Sequence, residues 1–277
     1  MTDTHAAGEA VAQGTAEHGV VSTFDHLVIA VPDLAAGVRE FEELTGVRTT
    51  PGGRHPGRGT ANHIVSLRPR GWTGQPLTYL EILGPDPQQD PDLAAQSLPG
   101  VTRMLAQRWA AHPDDLDATV AAADEAGVDY GQVFDMSRRT PDGGLLEWRL
   151  TRRTPLAHGG AQPFLIDWGT SQHPADTLRE AAATSHEAAG DAEREPATAS
   201  AGVPGGFTTA ADGVLVLERL EFFGPDPEAL SRAIRVLTGE TVEVLRADRA
   251  GIRAVISGPA GELTIAGPAD PQPGDAE

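Results

Sequence analysis

Three stretches of the 277-residue chain repeat one order of apolar and polar positions. They read "HLVIAVPDLAAGVREFEELTGV" (26–47), "QRWAAHPDDLDATVAAADEAGV" (107–128) and "RLEFFGPDPEALSRAIRVLTGE" (219–240). Each opens with a run of strand character, passes through Pro-Asp, continues at helical spacing and closes near a glycine. The proline and the glycine stand 14 positions apart in all three: Pro32 and Gly46, Pro113 and Gly127, Pro225 and Gly239. Proline cannot continue a central strand, and the aspartate behind it can cap a helix by accepting from free backbone N–H groups. In the first repeat Leu34, Val38, Phe41 and Leu44 recur every three or four residues, giving a helix one apolar face. The glycine falls where a helix ends in left-handed backbone and a Cβ is unwelcome.

Strand-like runs follow each glycine, at 47–50, 61–67 and 77–83, then 130–137, 145–150 and 164–168, then 241–245, 251–256 and 262–266. Each repeat therefore predicts β-α-β-β-β. The proline starts lie 81 and then 112 residues apart, and the surplus matches an acidic stretch at 175–206. That stretch holds six acids against two arginines and ends in a Pro/Gly cluster, the composition of a flexible linker whose first part can extend a helix. The expected organisation is a disordered segment at 1–22 and a two-unit domain at 23–174, with units at 24–84 and 103–170. The linker at 175–206, a third unit at 207–267 and a disordered tail at 268–277 complete it. The fold class is α+β, with the units forming a cupped mixed sheet. A lone third unit leaves a sheet face uncovered, which suggests pairing across a homodimer.

Charge narrows the partners. The net charge is −19, from 40 acidic and 21 basic residues, and every basic residue is arginine. A chain this acidic repels a phosphate backbone, so nucleic acid is not expected as a partner. About half of the charge sits in the two ends and the linker, as expected of solvated segments. The absence of cysteine removes disulfides, thiolate nucleophiles and iron–sulfur clusters. No run of about 18 apolar residues is present to span a bilayer. Residues 1–22 carry no arginine and no apolar core, unlike a secretory signal. A cytoplasmic location without membrane association is expected.

The repeats, with "FDHLVIAVPDL", "GGRHPGRGTANHIV" and "LTYLEILGP", resemble the vicinal oxygen chelate superfamily, in particular its glyoxalase-like domain branch. The superfamily includes glyoxalase I, bleomycin- and fosfomycin-resistance proteins and extradiol dioxygenases. The resemblance implies two units facing a common cleft, with divalent-metal ligands on the first and last strands of each unit. Carried over, His26 and Glu81 take those places in the first unit and Gln107 in the second, with Zn, Ni, Mn or Fe as the candidate ion. Strand alternation independently sets His26 beside Val28 and Ala30 on one face and gives Leu27, Ile29 and Val31 to the other. Asp167 stands one residue out of step with Glu81 and needs a bulge to face the cleft. The third unit offers Arg219 and Thr264, neither a usable ligand.

The candidate catalytic residues are Glu81, Asp167 and His63. Only one of Asn62 and His63 can face the cleft, as substrate contact or third ligand. Arg54 and His55, in a Gly-rich segment that lacks the Lys-Ser/Thr of a phosphate loop, can attract an anionic substrate. Tyr79, Trp109 and Trp168 are candidate substrate-binding aromatics; Trp72 and Trp148 read as core. Two functions stay open: a divalent-metal-dependent lyase, isomerase or dioxygenase acting on a small oxygenated molecule, or a metal-free, resistance-type protein that binds and sequesters a small-molecule ligand. No nucleophile elbow and no dinucleotide fingerprint appears.

Overall fold

The structure, a computed structural model, describes residues 23–71, 78–139, 144–192, 214–239 and 241–267. The terminal segments, most of the expected linker and Trp72 lie outside the described residues. The first unit comprises β1 (Phe24–Ala30), α1 (Leu34–Thr45), β2 (Thr50–His55), β3 (Thr60–Pro69) and β4 (Thr78–Pro85), followed by a short α2 (Pro91–Ser97). The second comprises β5 (Leu105–Ala111), α3 (Leu116–Glu125), β6 (Gln132–Arg139), β7 (Leu145–Arg152) and β8 (Phe164–Asp167). Then come α4 (Pro174–Ala192), β9 (Leu215–Gly224), α5 (Pro227–Thr238), β10 (Val244–Arg246), β11 (Gly251–Gly258) and β12 (Gly261–Ala266).

The repeat's punctuation acts as its chemistry requires. Asp33 accepts from Ala36 N–H at the start of α1, and Asp226 accepts from Ala229 N–H at the start of α5. In α3 the cap is Asp115, one residue later than the Pro-Asp step, accepting from Ala118 N–H. Each such cap contributes about 1 kcal/mol. Gly46, Gly127 and Gly239 take φ of 74°, 72° and 73°, the left-handed backbone expected of them. The apolar stripe of α1 buries Val38 and Phe41. Gly37 lets the helix approach closely, because a Cβ there would stand 2.5 Å from the Val31 side chain.

Twelve strands form one mixed sheet. In the first unit β1 runs parallel to β4, β3 lies beyond β4, and β2 beyond β3. The second unit repeats this as β5, β8, β7 and β6. Antiparallel pairing of β1 with β5 joins the two.

The third unit keeps the element order but not the strand order. Here β11, not the last strand, lies against β9, and β12 lies outside it. Burial explains the exchange: β11 carries Ile252, Ala254, Val255 and Ile256 buried, whereas β12 begins with the exposed pair Gly261 and Glu262. The other edge of β9 pairs in parallel with β3 at its start, Leu67 opposite Leu215, and with β10 at its end. The third unit thus finds its sheet partner within the chain. Its apolar side joins Leu27, Ile29, Phe41 and Trp109 in one core with Phe222, Leu230, Ile234 and Ile252. Tyr130 O–H donates to Ala233 C=O at 2.7 Å across the same junction. The face that suggested a homodimer is covered from inside.

The stretch expected as linker from 175 begins as helix. Ala175 and Leu178 of α4 are buried, and Leu178 packs with Ile64, Tyr79, Ile166 and Trp168 on the face of the sheet opposite the main core. Among the described residues no helix is long and apolar enough to cross a membrane.

Candidate functional site

The site forms on the sheet face turned away from α1 and α3, and a bulge creates it. Phe24 pairs with Ala111 but His26 with Ala110, so β1 carries one extra residue at this point. Phe24 and Leu27 consequently both lie in the main core, although three apart, and Asp25 and His26 come together on the other side. A second irregularity lies in β5, where Val28 pairs with Arg108 but Ile29 with Ala106. Ala106 and Trp109 both face the main core, and Arg108 lies over the Phe164 ring at 5.2 Å. The gapless repeat matched His26 with Gln107; counted by faces, Arg108 takes the corresponding position.

Asp25, 2% exposed, gathers four ring N–H groups. Its Oδ1 lies 2.6 Å from His26 Nδ1, and its Oδ2 lies 3.0 Å from Trp168 Nε1, 3.2 Å from His173 Nε2 and 3.5 Å from His112 Nδ1. Burial alone would push this carboxyl up. The hydrogen bonds from His112, His173 and His26 outweigh it and hold Asp25 well below the usual carboxylate range. An ionised Asp25 beside Nδ1 fixes the orientation of the His26 ring and turns Nε2 toward Glu81. His173 has its tautomer set from the other side, since its Nδ1 accepts from Ala175 N–H and its Nε2 therefore donates to Asp25. His26 stacks on Tyr79, ring centroids 4.4 Å apart, and meets Phe164 edge-on at 5.4 Å.

Nε2 of His26 faces Glu81, 3.7 Å from its Oε2. The other oxygen, Oε1, accepts from Asn62 Nδ2 at 2.7 Å and lies 3.9 Å from His55 Nε2. Burial pushes the Glu81 carboxyl up, but His55, His26, Asn62 and Arg108 together bring it below its ordinary value. Glu81 and Arg108 are both register partners of Val28, on the strands flanking β1. They stand in one row across β4, β1 and β5, about 10 Å apart at Cα from strand spacing, with the buried Val28 beneath. Burial lowers the Arg108 guanidinium and Glu81 partly restores it. No direct ion pair closes between the two, and Arg108 Nε is buried without a hydrogen-bond partner.

The remaining sequence candidates divide by face. Asn62 faces Glu81, whereas His63 turns to the α1 side and meets Thr49 Oγ1 at 2.9 Å, beside Glu42. His63 is therefore removed from the polar centre. Asp167 pairs with Arg149 in unbroken register, with Ile166 facing the site; no bulge re-aims it, and its Oδ1 accepts from Gly169 N–H. Trp109 lies in the main core, fully buried, and donates to Ala161 C=O. Trp168 does face the site, at the Asp25 end. Arg54 is paired with Asp86 and Gln88 at the mouth of the β2–β3 hairpin, away from Glu81. Gln107 is buried, with its Oε1 lacking a hydrogen-bond partner. Asp25, Arg108, Phe164 and His173 join the site without having been singled out from the sequence.

The donor set does not fit a resident divalent ion. His26 Nε2 and Glu81 Oε2 are two suitable donors, but His55 approaches the opposite carboxylate oxygen, which Asn62 already occupies. Among the described residues no three His, Cys, Asp or Glu side chains converge to hold a metal. The Arg108 guanidinium on the same face adds positive charge where a cation would need negative.

A two-unit β-α-β-β-β sheet with polar residues on β1 and β4 defines a class, and a family model agrees with it. A family model described as glyoxalase-like domain matches residues 24–238. The chain belongs to this glyoxalase-like family, and through it to the vicinal oxygen chelate superfamily. Among solved structures, a hypothetical protein from Staphylococcus aureus is 14% identical, with a TM-score of 0.48, over 89% of this chain and 86% of that one. A methylmalonyl-CoA epimerase in complex with methylmalonyl-CoA and NH4+ is 21% identical, with a TM-score of 0.40, over 55% of this chain and 98% of that one. The methylmalonyl-CoA epimerase from Mycobacterium tuberculosis is 16% identical, with a TM-score of 0.33, over 56% and 91%. A search of curated proteins finds no match.

Proposed function

We propose that the chain binds a small oxygenated molecule on the face formed by β1, β4 and β5, without a resident metal ion. The observation that carries this reading is the convergence of His26, Glu81 and Arg108 on one sheet face with unused hydrogen-bonding capacity. His26 Nε2 has no closer partner than Glu81 at 3.7 Å, and Arg108 Nε has none. Buried polar groups are normally satisfied, so such capacity at one place marks a ligand position. Tyr79 and Phe164 supply aromatic walls against which an apolar part of the ligand can pack.

Trp168 and Trp148, whose rings lie 5.7 Å apart on this face, offer a fluorescence signal. A panel of small dicarbonyl, epoxide and catechol compounds is titrated with chelator present. Saturable quenching that Glu81→Gln weakens supports the reading, and no response from any compound counts against it. Binding that appears only after a divalent ion is added would favour the metal-dependent lyase, isomerase or dioxygenase instead.

A further inference from the structure

We propose that Arg108 holds the place of a metal ion in this site: it balances Glu81 across Val28 and offers N–H donors to a carbonyl oxygen of an uncharged ligand. The inference rests on the small-molecule reading above and deepens it by naming the ligand's chemistry. Three observations carry it. Arg108 and Glu81 share Val28 as register partner and face the same side, yet form no direct ion pair, and Arg108 Nε is buried without a hydrogen-bond partner. The guanidinium carbon lies over the Phe164 ring, 5.2 Å from its centroid, a cation–π contact that holds it on this face. Glu81 is held from its other side by Asn62 and flanked by His26 and His55, so it does not collapse onto Arg108.

Charge decides the ligand class. Among the described residues here the permanent cation is the Arg108 guanidinium; His26 and His55 already face Glu81, and His26, His112 and His173 already meet Asp25. A ligand carboxylate would add a further negative charge to a desolvated site whose cationic groups are already set against Asp25 and Glu81. An uncharged ligand avoids this. Its carbonyl oxygen accepts from Arg108, and a neighbouring O–H or N–H donates to Glu81. α-Hydroxy amides and α-hydroxy ketones present that pair of groups on adjacent atoms.

The test has two arms on the full chain. In the first, Mn²⁺ alone is titrated by calorimetry into chelator-stripped protein. The wild type is expected to show no site at Glu81. Arg108→Gln removes the opposing charge and is expected to raise Mn²⁺ affinity at least about tenfold. The double substitution Arg108→Gln, Glu81→Gln loses that gain, and Arg108→Lys, which keeps the charge, never acquires it. A wild-type Mn²⁺ site abolished by Glu81→Gln overturns the proposal even if Arg108→Gln does not fold, and so does a folded Arg108→Gln protein without the gain.

In the second arm, mandelamide and mandelate, alike in shape and different in charge, are titrated with chelator present. Mandelamide is expected to bind at least about tenfold tighter, one decade being 1.4 kcal/mol, and to lose this advantage in Arg108→Gln. Equal or tighter mandelate binding overturns the uncharged-ligand assignment. The Mn²⁺ arm uses no organic ligand. If it behaves as expected and neither probe binds, the small-molecule reading has failed; if it fails, the role given to Arg108 has failed.

Discussion

Replacing Asp25 with alanine removes one carboxylate that four ring N–H groups share. The side chain is almost fully enclosed, with donors at 2.6, 3.0, 3.2 and 3.5 Å. His112 is 44% exposed and can turn to water, so it contributes little to the cost. Trp168 Nε1 and His26 Nδ1 are buried, and each unsatisfied donor costs about 1–3 kcal/mol. His173 loses the contact that fixes the start of α4. Against these losses stands relief from burying the carboxylate itself. The net expectation is about 3 kcal/mol, at the low end of what removing one member of a buried charge network costs. Asp25→Asn keeps one acceptor oxygen and is expected to cost about half as much. Urea denaturation followed by tryptophan fluorescence measures both. A change of less than about 0.5 kcal/mol for Asp25→Ala, the range of an ordinary surface substitution, would refute the hub.

Three further outcomes are expected. Trp109→Ala empties a fully enclosed core position and its indole N–H bond, costing about 3–5 kcal/mol in thermal or chemical denaturation; a loss below about 1 kcal/mol would contradict its placement at the junction of all three units. Tyr130→Phe deletes the hydroxyl that donates to Ala233 C=O and is expected to cost about 1 kcal/mol, with faster hydrogen exchange in α5; unchanged exchange would argue against docking of the third unit there. Burial depresses His63, so the unfolded chain binds the proton more readily, and stability falls as pH drops below about 6.5 toward the depressed folded value. His63→Gln should flatten that fall, and a profile unchanged by the substitution would sink the assignment. Glu42 is also lowered, burial being outweighed by Thr49 and Arg48, so its contribution is lost only at lower pH, as it falls through the depressed folded value.

The parts of the fold governed by local chemistry could be read from the chain. Pro-Asp starts, glycine ends and the α1 stripe are backbone requirements that particular residues meet in place. Parity along a strand is different. The bulges at Asp25–His26 and Gln107–Arg108 each insert one residue without altering hydropathy, so a gapless repeat carries Gln107, not Arg108, to the position matching His26. Asp25 was hidden for the same reason, since simple alternation gives it to the core face. The strand exchange in the third unit depends on which of β11 and β12 is better buried, a competition decided by the other two units. The start of α4 was masked by acidic linker composition, which marks solvation of the later residues and says little about the first turn, and His173 just ahead of it lies beyond the last strand run, where no periodicity singles it out. Glu81, Tyr79, Asn62 and His26 obeyed unbroken alternation locally and lie together on one face.

The claim at the centre of this interpretation is that the site's cation is Arg108 and not a metal. Elemental analysis of tag-free protein after incubation with Zn²⁺, Ni²⁺, Mn²⁺ and Fe²⁺ and removal of free ion tests it most directly, with His26→Ala and Glu81→Ala alongside. The expected result is less than about 0.1 ion per chain in all three proteins. About one ion per chain in the wild type, lost in both variants while each keeps its fold, would contradict it.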